Sequence, residues 1–182
     1  MRKHILTDIS FFEADLTGVN NDELKNICLQ NTSNLMSDDL TDTRNEDIKL
    51  PMNNVLGNLF VKIENEFNSI FPYENRDLYV IKDYWAQVHK KYESTNTHNH
   101  VDPSNLSTSS SYSGVYYVSL PKDSGKLVLE YNINQYETKR WWPEIAEQKV
   151  IIFPSTLNHF VTKNLSNENR IVISFNLYND RH

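Results

Sequence analysis

The stretch that decides the fold runs from residue 149 to residue 178: K-V-I-I-F-P-S-T-L-N-H-F-V-T-K-N-L-S-N-E-N-R-I-V-I-S-F-N-L-Y. It holds three runs rich in β-branched and aromatic residues, 149–153, 158–161 and 170–178. Pro154-Ser155 and the polar segment Asn164 to Asn169 separate them. Runs this short between turn signals read as strands. In the last run Ile171, Ile173, Phe175 and Leu177 point one way, and Arg170, Val172, Ser174 and Asn176 the other. Upstream, 78–89, 113–120 and 126–132 read the same way, with a turn from Pro121 to Gly125. Several short strands at regular spacing predict an antiparallel sandwich or barrel.

The N-terminal part reads differently. Residues 5–16 suggest a short strand, and Asn20-Asn21-Asp22 a helix cap ahead of E-L-K-N-I-C-L. Residues 32–50 are polar and aperiodic, the mark of a loop. Pro51 opens a helix whose stripe of Val55, Leu56, Leu59, Phe60, Ile63, Phe67 and Ile70 recurs at three- and four-residue steps, ending near Phe71-Pro72. The expected class is α+β with a mainly β core. We expect one domain over 1–182: a strand and supporting helices in 1–76, then a double-stranded β-helix, the cupin-like jelly roll, over 77–178. The single cysteine, Cys28, excludes an intramolecular disulfide and falls on a helical apolar pattern. No apolar run reaches membrane-spanning length, and Asp8 interrupts any signal-type segment. A net charge of −6 disfavours duplex nucleic acid as partner, because that affinity comes largely from phosphate neutralisation.

Chemistry concentrates in H-N-H-V-D (98–102), in His159 and in Arg170. If 98–102 is extended, His98, His100 and Asp102 share a face. Two imidazoles and a carboxylate make the facial triad that holds non-heme Fe(II) and leaves positions open. The preferred set is therefore His100, Asp102 and His159, with His98 beside it. The other set is the H-x-H pair His98 and His100 with His159, as in a cupin-like metal site. Arg170, a cation on a core-type strand, needs an anionic partner. A small carboxylic acid held by two parallel hydrogen bonds fits, as does an internal salt bridge. Together these residues suggest an oxygenase that uses iron and a 2-oxo acid. His89 reads as packing; His4 and His182 are terminal and uninformative.

These residues resemble the iron- and 2-oxoglutarate-dependent dioxygenase superfamily, in particular its prolyl-hydroxylase-like branch and a group of small oxygenases of phages and marine bacteria. The resemblance covers about 80–178. It rests on the order and spacing of H-V-D, S-G-V-Y-Y-V-S-L-P, S-G-K-L-V-L, V-I-I-F-P-S-T-L-N-H and N-R-I-V-I-S-F-N. It implies Fe(II) on His100, Asp102 and His159, and 2-oxoglutarate with its distal carboxylate on Arg170. Tyr117 falls where relatives place a tyrosine that contacts the same carboxylate, and Tyr92 is a further implied contact. Many relatives carry a hydroxyl residue two positions after the arginine. Here that position is Val172, and Ser174 lies one pleat further on.

The implied reaction consumes dioxygen and 2-oxoglutarate, releases succinate and carbon dioxide, and hydroxylates an unactivated C–H bond, with ascorbate as an auxiliary reductant. Relatives that halogenate lack the carboxylate, so Asp102 points to hydroxylation. The implied substrate is a peptidyl residue such as proline. Trp141-Trp142-Pro143 is a candidate groove lining, with core or loop packing as the plainer reading. The serine-rich segment Pro103–Tyr112 is read as a lip over the site, with a plain linker loop as an equal reading. The rival is a cupin-like metal-binding domain without oxygenase activity, which would have no need of Arg170 as a clamp. A cytoplasmic location suits ferrous iron.

Overall fold

The structure, a computed structural model, describes residues 9–32, 50–71 and 78–180. In chain order its elements are β1 (Phe12–Asp15), α1 (Asn21–Thr32), α2 (Asn54–Ser69), β2 (Tyr79–His89), β3 (Thr95–His98), β4 (Tyr112–Ser119), β5 (Leu127–Asn134), β6 (Glu137–Trp141), β7 (Lys149–Pro154), β8 (Asn158–Val161) and β9 (Arg170–Asn179). A five-stranded sheet has the order β1-β7-β4-β9-β2, and a four-stranded sheet the order β3-β8-β5-β6. Pairing is antiparallel throughout. From β4 onward the chain crosses repeatedly between the sheets, as in a jelly roll. The α+β reading with a mainly β jelly-roll core holds.

The alternation along β9 explains the layering. Ile171, Ile173, Phe175 and Leu177 are fully buried against the helices, beside Leu24 and Cys28 of α1 and Leu56, Leu59, Phe60, Ile63 and Phe67 of α2. Burying side chains of this size contributes about 1.5–3 kcal/mol each. Val172 points instead between the sheets, into a smaller core with Val115, Tyr117, Leu129, Ile151 and Phe153. Gly114 faces Phe175 in the β4–β9 register. A Cβ there would meet the Phe175 ring at 2.3 Å, so only glycine lets the ring lie on the neighbouring strand.

Each helix is fixed at its start. Asn20 caps α1: its Oδ1 accepts from the Glu23 N–H at 3.2 Å, and its amide donates to the Glu23 carboxylate at 3.1 Å. Asn53 caps α2 by accepting from the Leu56 N–H at 2.9 Å. This is why α2 begins at Asn54 and not at Pro51. Asn21 donates to the Val118 carbonyl at 2.9 Å and accepts from the Tyr116 hydroxyl at 2.7 Å, tying α1 to β4. Cys28 is buried, and burial raises its thiol to about 12, so it stays protonated.

Two strands depart from expectation. β3 (T-N-T-H) and β6 (E-T-K-R-W) are polar and carry no apolar alternation. Moreover, β3 ends at His98, and residues 99–102 are irregular. The premise that His100 and Asp102 share a strand face therefore does not hold. Trp141 and Trp142 are about half exposed, so they are not core. The expected start of the first strand, most of the 32–50 loop, His4 and His182 lie outside the described residues. No described helix is long and apolar enough to cross a membrane.

Candidate active site

β2 and β9 run side by side, with Trp85 opposite Ser174, Gln87 opposite Val172 and His89 opposite Arg170. These residues face the four-stranded sheet. Trp85, Gln87, Ser174 and Arg170 line a cleft whose other wall holds Thr95, His98 and His159, with His100 beside them.

His98 and His159 are directly paired across β3 and β8. His100 follows on the irregular segment and is held twice. Its backbone N–H donates to the Ser155 carbonyl at 2.9 Å, and its ring stacks on Trp85 at 5.6 Å. One ring nitrogen from each of His98, His100 and His159 lies within 4.8 Å of the others. The backbone decides which nitrogens face inward. His159 Nδ1 is 3.1 Å from the Leu157 carbonyl, and His98 Nδ1 is 2.8 Å from the Asn96 carbonyl. A carbonyl only accepts, so each Nδ1 holds a proton, and His159 Nε2 keeps its lone pair. His159 Nε2 sits 3.3 Å from His100 Nε2. Burial, reinforced by neighbouring imidazoles, lowers His159 to about 3 and His100 to about 4. Both rings are neutral at pH 7, the form that binds metals.

Asp102 is not gathered with these imidazoles. Its exposed carboxylate accepts from the Ser104 N–H at 2.8 Å and the Ser104 hydroxyl at 2.6 Å, which hold it below the usual carboxylate range. The group the structure assembles is thus the H-x-H alternative, and the preferred set is only partly together.

Arg170 is fully buried. Its Nη1 donates to His89 Nδ1 at 3.3 Å, and its guanidinium carbon lies 5.4 Å from the centre of the Tyr117 ring. Among the described residues, Arg170 Nε and the Tyr117 hydroxyl are buried without a hydrogen-bond partner of good geometry, although the two side chains lie close enough to influence each other's charge. Among the described residues no carboxylate pairs with Arg170. The internal salt bridge considered from the sequence is therefore not found there. Burial raises the Tyr117 phenol to about 12, with the Arg170 charge opposing. A buried guanidinium with unused donors is costly unless an anion completes it.

Tyr92 does not reach the cleft. It occupies a turn between β2 and β3 with φ of 72°, its backbone N–H is bonded to the Asn164 carbonyl, and the residue is 63% exposed. Conversely, Trp85, Gln87, Thr95 and His89 were not anticipated as site residues. The signal was present in W-A-Q-V-H, where Trp85, Gln87 and His89 alternate on one face of a strand.

A family profile described as "Putative 2OG-Fe(II) oxygenase" matches residues 83–176, just over half of the chain. The chain belongs to this family. It is therefore a member of an oxygenase family, among the oxidoreductases. A search of curated proteins found no match. Solved structures share the fold at low identity. A Pseudomonas putida prolyl-4-hydroxylase is 12% identical with a TM-score of 0.63, over 93% of this chain and 88% of that one. The viral collagen prolyl hydroxylase of Paramecium Bursaria Chlorella virus-1, in its 2OG complex, is 14% identical with a TM-score of 0.62, over 92% and 94%. A 2OG-Fe(II) oxygenase family oxidoreductase of Burkholderia pseudomallei is 16% identical with a TM-score of 0.56; the match covers 78% of this chain and spans only 63% of that protein's length.

The described residues fit what the family implies. Imidazoles held neutral by burial suit iron. The unpartnered donors at Arg170 and Tyr117 suit a carboxylate.

Proposed function

We propose that the chain is an Fe(II)- and 2-oxoglutarate-dependent dioxygenase acting on an unactivated C–H bond, with a peptidyl residue such as proline as substrate. The observation that carries this reading is Arg170: a fully buried guanidinium with an unpartnered Nε, opening on the same cleft as three clustered imidazoles. A metal-binding domain without a co-substrate has no use for that charge.

Bound Fe(II) would supply the dioxygen chemistry, coupling decarboxylation of 2-oxoglutarate to hydroxylation, with succinate and carbon dioxide as co-products. The chain's own residues do the rest. Arg170, assisted by Tyr117, holds the distal carboxylate, and Ser174 lines the cleft beside it. Trp85 stacks on His100 and keeps that ring at the cleft wall. His100 and His159 are ligands in either set. Asp102 is the third in the facial arrangement and would have to give up Ser104. His98 is the second reading for that place, favoured by its position beside His159.

The peptidyl substrate is supported by the resemblance to the prolyl-hydroxylase-like branch and by the edge of the smaller sheet. Trp141 pairs with Leu129, and Leu129 with His159, so the three side chains share a face. Trp141 thus offers an exposed indole two strands from the imidazoles.

The test is succinate formation from 2-oxoglutarate under Fe(II), with and without proline-containing peptides. Arg170→Ala should raise the 2-oxoglutarate constant about tenfold to a hundredfold. Asp102→Ala and His98→Ala, compared for Fe(II) affinity, separate the ligand sets; the true ligand is the one whose loss sharply weakens binding. No succinate with any peptide, and no visible band on adding 2-oxoglutarate to the anaerobic Fe(II) protein, would remove the enzyme reading.

A further inference from the structure

His89 is absorbed by none of the roles above, yet it is fully buried against Arg170, the one cation among the described residues that line the cleft. It sits at the end of β2, directly opposite Arg170. Its two ring nitrogens make two different contacts. Nδ1 lies 3.3 Å from Arg170 Nη1, and Nε2 lies 2.9 Å from the Thr95 hydroxyl.

The chemistry of the partners fixes the proton. A guanidinium only donates, so Nδ1 must be the acceptor. A neutral ring then carries its proton on Nε2 and donates it to Thr95 Oγ1. Burial and the Arg170 charge both disfavour a second proton, lowering His89 to about 3. The site therefore carries the single charge of Arg170, matched to one carboxylate.

The choice of guanidinium nitrogen matters. Nη1 is engaged by His89, while Nε has no partner. Nη2 lies on the same side of the guanidinium as Nε. With one Nη1 N–H engaged and Nε unpartnered among the described residues, the Nε–Nη2 edge is a fork open to a carboxylate, and such pairing is directional. Thr95 opens β3, the strand that ends at His98. One imidazole thus joins the strand carrying a clustered histidine to the arginine on the opposite sheet.

We propose that His89 is a positioning residue for the 2-oxoglutarate clamp: held in its Nε2–H tautomer by Thr95, it engages Arg170 Nη1 and turns the Nε–Nη2 edge to the co-substrate carboxylate. The inference rests on the 2-oxoglutarate reading of the cleft. It adds a residue pair, His89 and Thr95, that touches neither the metal ligands nor the carboxylate directly.

Two measurements test it. Long-range proton–nitrogen correlation NMR on the ligand-free, 15N-labelled protein should show His89 as the Nε2–H tautomer. The Nδ1–H tautomer, or an imidazolium at pH 7, overturns the proposal. The second is calorimetric titration of 2-oxoglutarate into Mn(II)-loaded protein. His89→Leu should weaken 2-oxoglutarate about tenfold while Mn(II) affinity stays within about twofold, since a charge-assisted contact is lost at the clamp only. His89→Asn keeps an acceptor near the Nδ1 position and should recover to within about threefold of wild type. Thr95→Val, similar in size but without the hydroxyl, should weaken binding about threefold to tenfold, and Thr95→Ser should not.

The double variant separates the relay from direct contact. In the His89→Asn background no Nε2–H exists, so Thr95→Val should add less than about twofold. An undiminished Thr95→Val effect there means Thr95 touches the ligand itself, and the relay is wrong. Full 2-oxoglutarate affinity in folded His89→Leu also overturns it while leaving the clamp reading intact, provided Arg170→Ala loses binding. Absence of 2-oxoglutarate binding by the wild type overturns both. Should His89→Leu fail to fold, the Thr95 pair and the NMR tautomer decide.

Discussion

Arg170 shows how a single side chain can be built for a partner and not for the fold. Its desolvation is uncompensated by any described carboxylate, and its Nε donates to none of the described residues. Replacing a buried charge with a well-packed apolar group of similar volume is often neutral or stabilising. Arg170→Met should therefore leave the ligand-free protein as stable as wild type, or more stable by about 1–3 kcal/mol. The same variant should lose 2-oxoglutarate binding and the thermal stabilisation that added 2-oxoglutarate confers on wild type. Denaturant unfolding with and without the co-substrate checks both halves. A large loss of stability in the ligand-free state would mean Arg170 is structural. Arg170 was legible in the sequence because a cation interrupts a core-type strand. The shared strand face of His100 and Asp102 was misread because it assumed extended backbone, and Tyr92 was named through the resemblance alone. The chain instead turns at Tyr92 and leaves the sheet after His98.

At the scale of elements, legibility followed burial. The long strands and α2 were readable because a buried face writes a period into the sequence. β3 and β6 were invisible for the opposite reason: β3 turns Thr95 and His98 to the cleft and exposes Asn96 and Thr97, and every residue of β6 is exposed. The serine-rich segment is a second case. Its composition promised a lip, and its two ends behave differently. Residues 103–106 are exposed, with a short 3-10 turn at Leu106–Thr108. Ser110, by contrast, is buried and bonded to Ser155, which bonds Ser113, which donates to Asn176. Tyr112 already belongs to β4 and packs edge-on against Phe12, Phe67 and Tyr79. The expectation therefore narrows to the tip. Amides 104–108 should exchange faster than those of β4 and gain protection when a peptide substrate binds. Deleting part of this tip should damage hydroxylation more than metal binding, because the imidazoles are held by other backbone contacts. Unchanged protection and full hydroxylation after shortening would make the segment a connector only.

Across the whole molecule, the cleft makes the protein sensitive to acid. His89, His100 and His159 are held neutral in the fold, at about 3, about 4 and about 3 respectively. In the unfolded chain each returns to an ordinary value of about 6.5. Above that pH both states are neutral at these positions, and the histidines do not favour unfolding. Below it the unfolded chain takes up protons that the fold refuses, so stability falls with pH. The loss approaches about 1.4 kcal/mol per pH unit for each ring and is complete only below the folded values. At pH 5 three rings together approach about 6 kcal/mol, comparable to the whole stability of an average domain. Asp102 does not offset this. Its value is depressed below the ordinary carboxylate, so its contribution is present throughout this window and is lost only at lower pH. Metal-free protein should therefore show a denaturant midpoint that drops steeply between pH 6.5 and pH 5. His89→Asn should make the drop shallower by about a third, because one of the three rings is gone. Urea unfolding in EDTA at pH 7.5, 6.5, 5.5 and 5.0 would measure it, and a midpoint flat across that range would show that the rings gain protons in the folded state after all. Fe(II) or Mn(II) should raise the midpoint at neutral pH by binding the folded state alone, and that gain should shrink once protons compete for the same nitrogens.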